Sequence, residues 1–491
     1  MPEITPEINA LFDTLLGADK QLVFEQIGNK LPHHIRFNPL KGDVELQKKL
    51  FAEQGFEFEQ TTEHPDIYRM KYQPYPIGKS LSHFLGHFYV QDIASMVPAL
   101  VLDPQPGEWV LDMSAAPGSK TTLMGSLMQN SGVILANDIV PKRLRALGKN
   151  LERMSIVNTK VYKWRGEQFG NVFFEQFDKV LLDPACSGLG TLHKNPEVLG
   201  WWSESHCDRL AGIQRSLLVS AVKSLKPGGR LVYSTCTVAP QENEANVDFL
   251  LNEFPMELED IHLEGMRTWP GLTEYRGEKF HPDMHKTVRF YPVDRVTEGF
   301  YVACLRKTGG TRSPKSYKVK PPRHVSFLDH KTSPVKKYID FLMMHFEIPE
   351  KIFKQFVYLM KGEIIFASKE MQDFPVFGGP MQTGMLMARP MDRGCKLNSN
   401  GVQLLGQYAN RMIVDIDDLA TLDKYVNREP LDISVDLPGQ YIVKYNGSVI
   451  GYGVADKGQL KSQFPKADWP FSLAEPQISE NPDSDDGLDI D

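Results

Sequence analysis

The sequence predicts an α/β protein with a mostly parallel, doubly wound sheet, and three observations predict it. Between Trp109 and Lys307, short apolar runs of strand character alternate with stretches of helical periodicity, the mark of successive βαβ units. A loop of small residues, Asp112-Met-Ser-Ala-Ala-Pro-Gly-Ser-Lys-Thr-Thr122, joins the first of these strands to a helix. Two later strands end in polar turns that each carry a cysteine, Cys186 and Cys236. Ligands of open α/β sheets bind in the crevice beyond the carboxyl ends of the strands, so both thiols are expected at one site.

The elements follow in chain order. Ile4 to Leu16 and Val44 to Gln54 carry apolar residues at helical spacing, and Ile35-Arg-Phe-Asn-Pro-Leu40 reads as a strand closed by a turn. Strands are predicted at 109–113, 133–137, 160–163, 179–182, 230–234 and 300–305, with helices at 120–129, 142–154, 207–224 and 242–253. Thr308 to Pro322 has linker composition. Beyond it short strands and turns dominate, and Gly439 to Gly453 looks like a hairpin turning at Asn446-Gly447.

Bulk properties narrow the class. The 491 residues are 41% hydrophobic and 24% charged, enough for roughly two to four domains with ample core. The five cysteines include no C-x-x-C pair, which excludes a zinc site or disulfide framework and fits a reducing cytoplasm. No metal is expected. An apolar run of about 18 residues is absent, and the start lacks a basic n-region and an apolar h-region, so neither a membrane span nor a signal peptide is read. The net charge of −7 excludes a protein that coats nucleic acid by charge alone. Charge is nonetheless uneven: seven Lys or Arg and no acid lie between Cys304 and Phe327, and the chain after Lys466 is acidic with no base.

The loop after the first strand discriminates between cofactors. A dinucleotide fingerprint needs three glycines and this loop has one; a phosphate-cradling loop would need glycine where Ser114 and Ser119 stand. S-adenosylmethionine carries no phosphate and asks less of the loop. The second strand ends in Asn137-Asp138, and the Asp138 carboxylate is a candidate for ribose hydroxyls or for capping the next helix.

Two thiols beside a methyl donor suggest covalent catalysis on a pyrimidine. Carbon 5 of the ring is a weak nucleophile until a thiolate adds to carbon 6 and makes the ring an enamine. A base then removes the carbon 5 proton and the cysteine departs. Asp183 is placed to hold the ring nitrogen, and Lys120 adds positive charge. A cysteine at a strand end is often only a small buried hydrophobe. Cys207, Cys304 and Cys395 lack the polar-turn context and read as structural.

The residues resemble the RNA cytosine-5 methyltransferases of the Nol1/Nop2/Sun (RsmB/NOP) group. The matching segments are Asp112 to Thr121, Asp183-Pro-Ala-Cys-Ser-Gly-Leu-Gly190, Lys226-Pro-Gly-Gly229, Tyr233-Ser-Thr-Cys-Thr237 with Glu242-Asn-Glu244, and Glu298-Gly-Phe-Tyr-Val-Ala303. Upstream, Arg36-Phe-Asn-Pro-Leu-Lys41 and Tyr89-Val-Gln-Asp-Ile-Ala-Ser95 match as well. The resemblance implies a Rossmann-like methyltransferase core, with Cys236 as nucleophile and Cys186 assisting release. It also implies a cofactor pocket of Ala115, Ala116, Pro117, Gly118, Ser119, Lys120, Thr121, Asp138 and Asp183. Two departures stand out. The usual Asp-Ala-Pro-Cys is here Asp183-Pro-Ala-Cys186, and Arg165 occupies the position of the usual adenine-contacting acid, with Glu167 nearby.

From about residue 330 the chain resembles bacterial small-subunit ribosomal RNA methyltransferases, the F-like branch, on Ser333-Pro-Val-Lys336, Arg393-Gly-Cys-Lys-Leu397 and Gly451 to Lys461. This implies a β-rich C-terminal region with a PUA-like RNA-binding module. The expected organisation is an N-terminal α+β RNA-binding domain over 1–95, a methyltransferase domain over 96–307, and a basic linker over 308–330. An accessory region over 331–475 and an acidic tail over 476–491 complete it. The expected partner is RNA, ribosomal RNA before transfer RNA, with the small-subunit particle a further candidate and the enzyme a monomer. The rival expectation is an RNA-binding assembly factor that has lost turnover, favoured by Arg165 and opposed by the two cysteines.

Overall fold

The computed structural model describes residues 4–61, 65–312, 325–466 and 473. Among these, the centre is a ten-stranded sheet. Its parallel heart holds β5 (Trp109–Asp112), β6 (Val133–Asn137), β7 (Thr159–Tyr162), β8 (Phe177–Leu182) and β9 (Leu225–Thr235), in the order β9-β8-β5-β6-β7. Strand β5 pairs in parallel with both β6 and β8, so the chain reverses its direction of winding there. That is the switch point at which a crevice opens above the strand ends. Phe300–Lys307 runs antiparallel beside β9.

The strands are apolar on both faces because helices cover both. Val110, Leu111, Ile134, Leu135, Val180, Leu181, Leu231 and Val232 are all completely buried. The helix Pro141–Arg153 starts with proline in its first turn and buries Leu144, Leu147 and Leu151, the i, i+3, i+7 stripe of an amphipathic helix. Ser203 caps Glu204–Ser224 by accepting from the backbone N–H of His206. The all-round apolar helix Ile93–Leu102 crosses residue 96 and buries Met96 and Val97 in the core. Its lack of a polar face hides it from periodicity.

Before this core lies a four-stranded antiparallel sheet of β1 (His34–Phe37), β2 (Glu57–Gln60), β3 (Ile67–Tyr72) and β4 (Phe88–Val90), in the order β2-β3-β1-β4. After the core come two further four-stranded sheets. The second contains the hairpin Gln440–Tyr445 to Ser448–Asp456, whose turn residues Asn446 and Gly447 have φ of 46° and 86°. Two successive positive φ values match the twist of the flanking strands, which is why Asn-Gly stands there. The C-terminal region is joined to the core: Gln382–Thr383 extends the central sheet beside β7, and Glu370 accepts from the backbone N–H of Gly132 at 2.9 Å.

The observed elements differ from the expected ones mainly at β9, which begins five residues early and takes in Lys226-Pro-Gly-Gly229. Of the basic strip, residues 313–324 lie outside the described residues, as does the acidic tail 476–491.

Candidate active site

The loops beyond β5, β8 and β9 enclose a cavity of about 680 Å³. Cys186 follows β8 and Cys236 follows β9, and both sulfurs face it. Their Sγ atoms stand 2.8 Å apart, a thiol–thiol hydrogen bond between free cysteines. That bond, together with burial, pushes the Cys186 thiol well above the usual range. A neutral Cys186 S–H is thereby placed to donate to the Cys236 sulfur.

The backbone fixes the Cys236 turn. Gly190 N–H donates to the Cys236 carbonyl at 3.0 Å, and Gly299 N–H donates to the Gly190 carbonyl at 2.8 Å. The two glycines touch so closely that a Cβ on Gly190 would sit 1.9 Å from the Gly299 oxygen. Behind the Cys186 turn, the buried Glu242 carboxylate accepts from Ser187 N–H at 3.1 Å and from Gln214 at 2.8 Å. Burial raises its pKa.

Asp183 has both oxygens engaged. Lys120 Nζ donates to Oδ2 at 2.7 Å and the Ser234 hydroxyl to Oδ1 at 2.8 Å. Lys120 also reaches Ser95 Oγ at 3.0 Å. Burial opposes the lysine's charge, but Asp183, Glu298 and Asp112 outweigh it and raise the pKa. Beneath the loop, Thr121 donates to Asp112 Oδ2 at 2.7 Å, and burial lifts that carboxyl to about 7.

Of the residues singled out in the sequence, Cys186, Cys236, Asp183, Lys120, Ala115, Ala116, Pro117 and Ser119 line the cavity. Gly118, Thr121 and Asp138 stand behind its wall. Gly118 adopts φ 110° to open the helix Ser119–Leu127, and Thr121 turns its hydroxyl to Asp112. Asp138 sits at the end of β6 with Oδ2 3.2 Å from Arg143 Nη1 and Oδ1 accepting from Val140 N–H at 2.9 Å. Arg165 points to solvent and pairs with Glu167 at 3.2 Å, and neither side chain lines the cavity.

Sequence reading passed over a second charged group in the wall. Lys194 Nζ is 2.9 Å from Glu298 Oε2, and Glu298 N–H donates to Asp92 at 3.3 Å. Burial and the neighbouring Glu298 raise Asp92 to about 7. Asp92 and Glu298 sit in motifs visible in the sequence, but their pairing with Lys194 arises only when three loops converge. Trp201, 46% exposed, stands at the cavity's mouth.

Residues 99–306 match the family model described as 16S rRNA methyltransferase RsmB/F. The chain is 42% identical over 275 residues to a tRNA (cytosine(49)-C(5))-methyltransferase of Pyrococcus abyssi, covering 56% of this chain and 87% of that protein. It is 31% identical over 446 residues to ribosomal RNA small subunit methyltransferase F of Shewanella piezotolerans, covering 88% and 90%. A solved methyltransferase homolog from Pyrococcus horikoshii superimposes with a TM-score of 0.55 at 34% identity, over 61% of this chain and 94% of that one.

Proposed function

Since the chain belongs to the RsmB/F family of S-adenosylmethionine-dependent RNA cytosine-C5 methyltransferases, we propose that it methylates a cytosine of small-subunit ribosomal RNA through a covalent Cys236 adduct. The observation that carries the adduct is the pair of thiols 2.8 Å apart in one cavity, beside an Asp183 held by Lys120. Ribosomal RNA is favoured over transfer RNA by coverage. Similarity to the small-subunit enzyme runs through 88% of the chain, C-terminal region included, whereas that to the transfer RNA enzyme covers 56%.

The wall fits the cofactor. Ala115, Ala116 and Pro117 present small side chains and main chain to the cavity. These residues, with Ser119 and Asp183, would hold S-adenosylmethionine, and Asp138 would be reached only once Arg143 gives way. When bound, the cofactor supplies an electrophilic methyl group.

This chain's own groups do the rest. Cys236 Sγ adds to carbon 6 of the cytosine, and the electron pair moves into the ring so that carbon 5 becomes nucleophilic. The proton lost by the Cys236 thiol passes to the ring nitrogen as charge develops there, and Asp183, oriented by Lys120 and Ser234, accepts a hydrogen bond from that N–H. After transfer a base takes the carbon 5 proton, that C–H electron pair restores the 5,6 double bond and expels Cys236 as a thiolate, and Cys186 beside it assists release. The target base must be unstacked to enter, so the parts over 1–95 and 331–475 would grip structured RNA around the core 96–307. We further infer a monomer acting in the cytoplasm, where it would meet the small-subunit particle.

Denaturing electrophoresis of the enzyme with total cellular RNA and S-adenosylmethionine tests this reading. Cys186→Ala is expected to accumulate an RNA adduct that Cys236→Ala cannot form, and sequencing the trapped RNA names the substrate. Adducts confined to transfer RNA would replace the substrate, and methyl transfer that persists in Cys236→Ala would remove the covalent step.

A further inference from the structure

The chain that leaves Cys186 builds one wall of the cavity, with Thr191, Lys194, Asn195 and Trp201 all facing it. This wall is tied to itself. Thr191 Oγ1 donates to the Gly188 carbonyl at 2.8 Å and accepts from Asn195 Nδ2 at 3.1 Å, and the Lys194 and Asn195 N–H groups donate to the Thr191 carbonyl at 3.0 and 2.8 Å. The wall ends in the short helix Val198–Trp201 and a pair of consecutive tryptophans with opposite fates. Trp202 leaves the helix in extended conformation, with φ −69° and ψ 138°, and is 5% exposed in the main core. Trp201 is left outside, the only exposed tryptophan among the described residues.

An indole kept in water forgoes the apolar burial that is its usual contribution to a fold. Trp201 is nevertheless held in place. The His206 ring packs against it in a T-shaped contact, centroids 5.3 Å apart and planes at 73°, and His206 Nδ1 accepts from Arg209 Nη2 at 2.9 Å. The helix Glu204–Ser224 carries both His206 and Arg209, so the ring is steadied by a rigid element. At 46% exposure the indole keeps open surface at the cavity's mouth.

We propose that Trp201 is a stacking platform for the RNA base next to the target cytosine, holding the strand at the mouth while the target itself enters toward Cys186 and Cys236. The proposal rests on RNA being the substrate. A base taken out of the stack leaves its neighbour with an uncovered π-face. An aromatic ring fixed at the entrance accepts that face whichever base presents it, because every base has one. Two observations favour a base of the strand over the adenine of the cofactor. Trp201 belongs to the wall that continues from Cys186, not to the loop 115–119 that follows β5, and it stands where a strand must pass to reach the thiols.

The test compares full-length wild type, Trp201→Phe and Trp201→Ala for binding a fluorescently labelled small-subunit rRNA fragment across salt concentrations, with S-adenosylmethionine affinity by calorimetry and thermal unfolding alongside. Trp201→Ala is expected to weaken RNA binding about tenfold, with the salt slope unchanged because no cation is removed. Trp201→Phe, which keeps a ring to stack on, should retain most of the affinity. Melting point and cofactor affinity should stay at wild-type values in both, since the exposed ring adds little to the fold. Unchanged RNA affinity in Trp201→Ala would overturn the proposal. So would equal losses in Trp201→Phe and Trp201→Ala, or a loss of cofactor affinity in step with RNA affinity, which would assign the ring to the cofactor. A melting point lowered enough to account for the lost binding would overturn it too, by returning Trp201 to the fold. Wild type that binds no RNA at all would instead remove the substrate reading beneath it.

Discussion

Lys120 lies in the first turn of the helix Ser119–Leu127 and Asp183 just past β8, yet Nζ stands 2.7 Å from Oδ2, and Ser234 occupies the other carboxylate oxygen. A carboxylate tied at both oxygens cannot rotate away from the ring it is to hold. Lys120→Met is therefore expected to lower kcat about 10²-fold with little change in KM for RNA, as loss of one preorganised charge commonly does. Ser234→Ala, which leaves the ion pair, should lose about tenfold. Steady-state methylation of rRNA checks both. A rise in KM at constant kcat in Lys120→Met would mean that the pair serves binding alone.

The Gly190–Gly299 contact predicts the next result. Any Cβ at Gly190 collides with main chain, which cannot swing aside as a side chain tip can. Gly190→Ala should displace the Cys236 turn, because Gly190 N–H bonds the Cys236 carbonyl. Misplacement by about 1 Å can cost about 10²-fold in rate. The expected signature is lost methyl transfer, a lowered melting point, and a Cys236 that still reacts with a small alkylating reagent. Full activity in Gly190→Ala would show that the turn is held by other bonds.

The parallel core was legible because its signal is local. Continuous apolar runs such as Val133 to Asn137 and the stripe Leu144, Leu147, Leu151 specify strand and helix without reference to the rest of the chain. Cys186 and Cys236 were legible because strand ends of one sheet converge. The pairing of Lys194 with Glu298 was not, since it is made of residues distant in sequence that no periodicity links. Asp138, a candidate for ribose hydroxyls or for capping the next helix, directly follows β6. Its partner Arg143 could not be foreseen, because which of five bases on one helix turns inward is decided by packing.

Asp112 gives a pH prediction. Burial raises its folded-state pKa from 3.8 to about 7, so the native protein binds this proton more tightly than the unfolded chain does. The contribution to stability is present at low pH and is lost as pH rises from about 4 through 7. Asp112→Asn keeps the shape and an acceptor for Thr121 but cannot ionise. Urea unfolding at about pH 5 and about pH 8 should show the variant gaining on wild type by on the order of 1–3 kcal/mol between the two. A difference that is flat with pH would mean the carboxylate is solvated in the folded state.

The buried pair Arg289–Glu244 supports the last prediction. Arg289 is 1% exposed and Glu244 fully buried, and the guanidinium engages both carboxylate oxygens through Nε and Nη2. Nη1 donates to the Val238 carbonyl at 3.0 Å, two residues beyond Cys236, and to the Tyr291 hydroxyl at 3.1 Å. Burial opposes the charge on Arg289 and Glu244 outweighs it, and the pair joins the helix Glu244–Glu253 to the strand Val288–Phe290. Removing one partner strands the other's charge in the core, at a cost of about 3–5 kcal/mol. Arg289→Met and Glu244→Leu should each lose that much in urea unfolding. The double variant should recover most of it, because two apolar groups of similar volume leave no charge behind. Activity separates the two roles of the pair. If it also positions the chain leaving Cys236 through the Val238 carbonyl, the double variant regains stability but stays slow in methyl transfer. Recovery of rate together with stability would confine the pair to holding the fold.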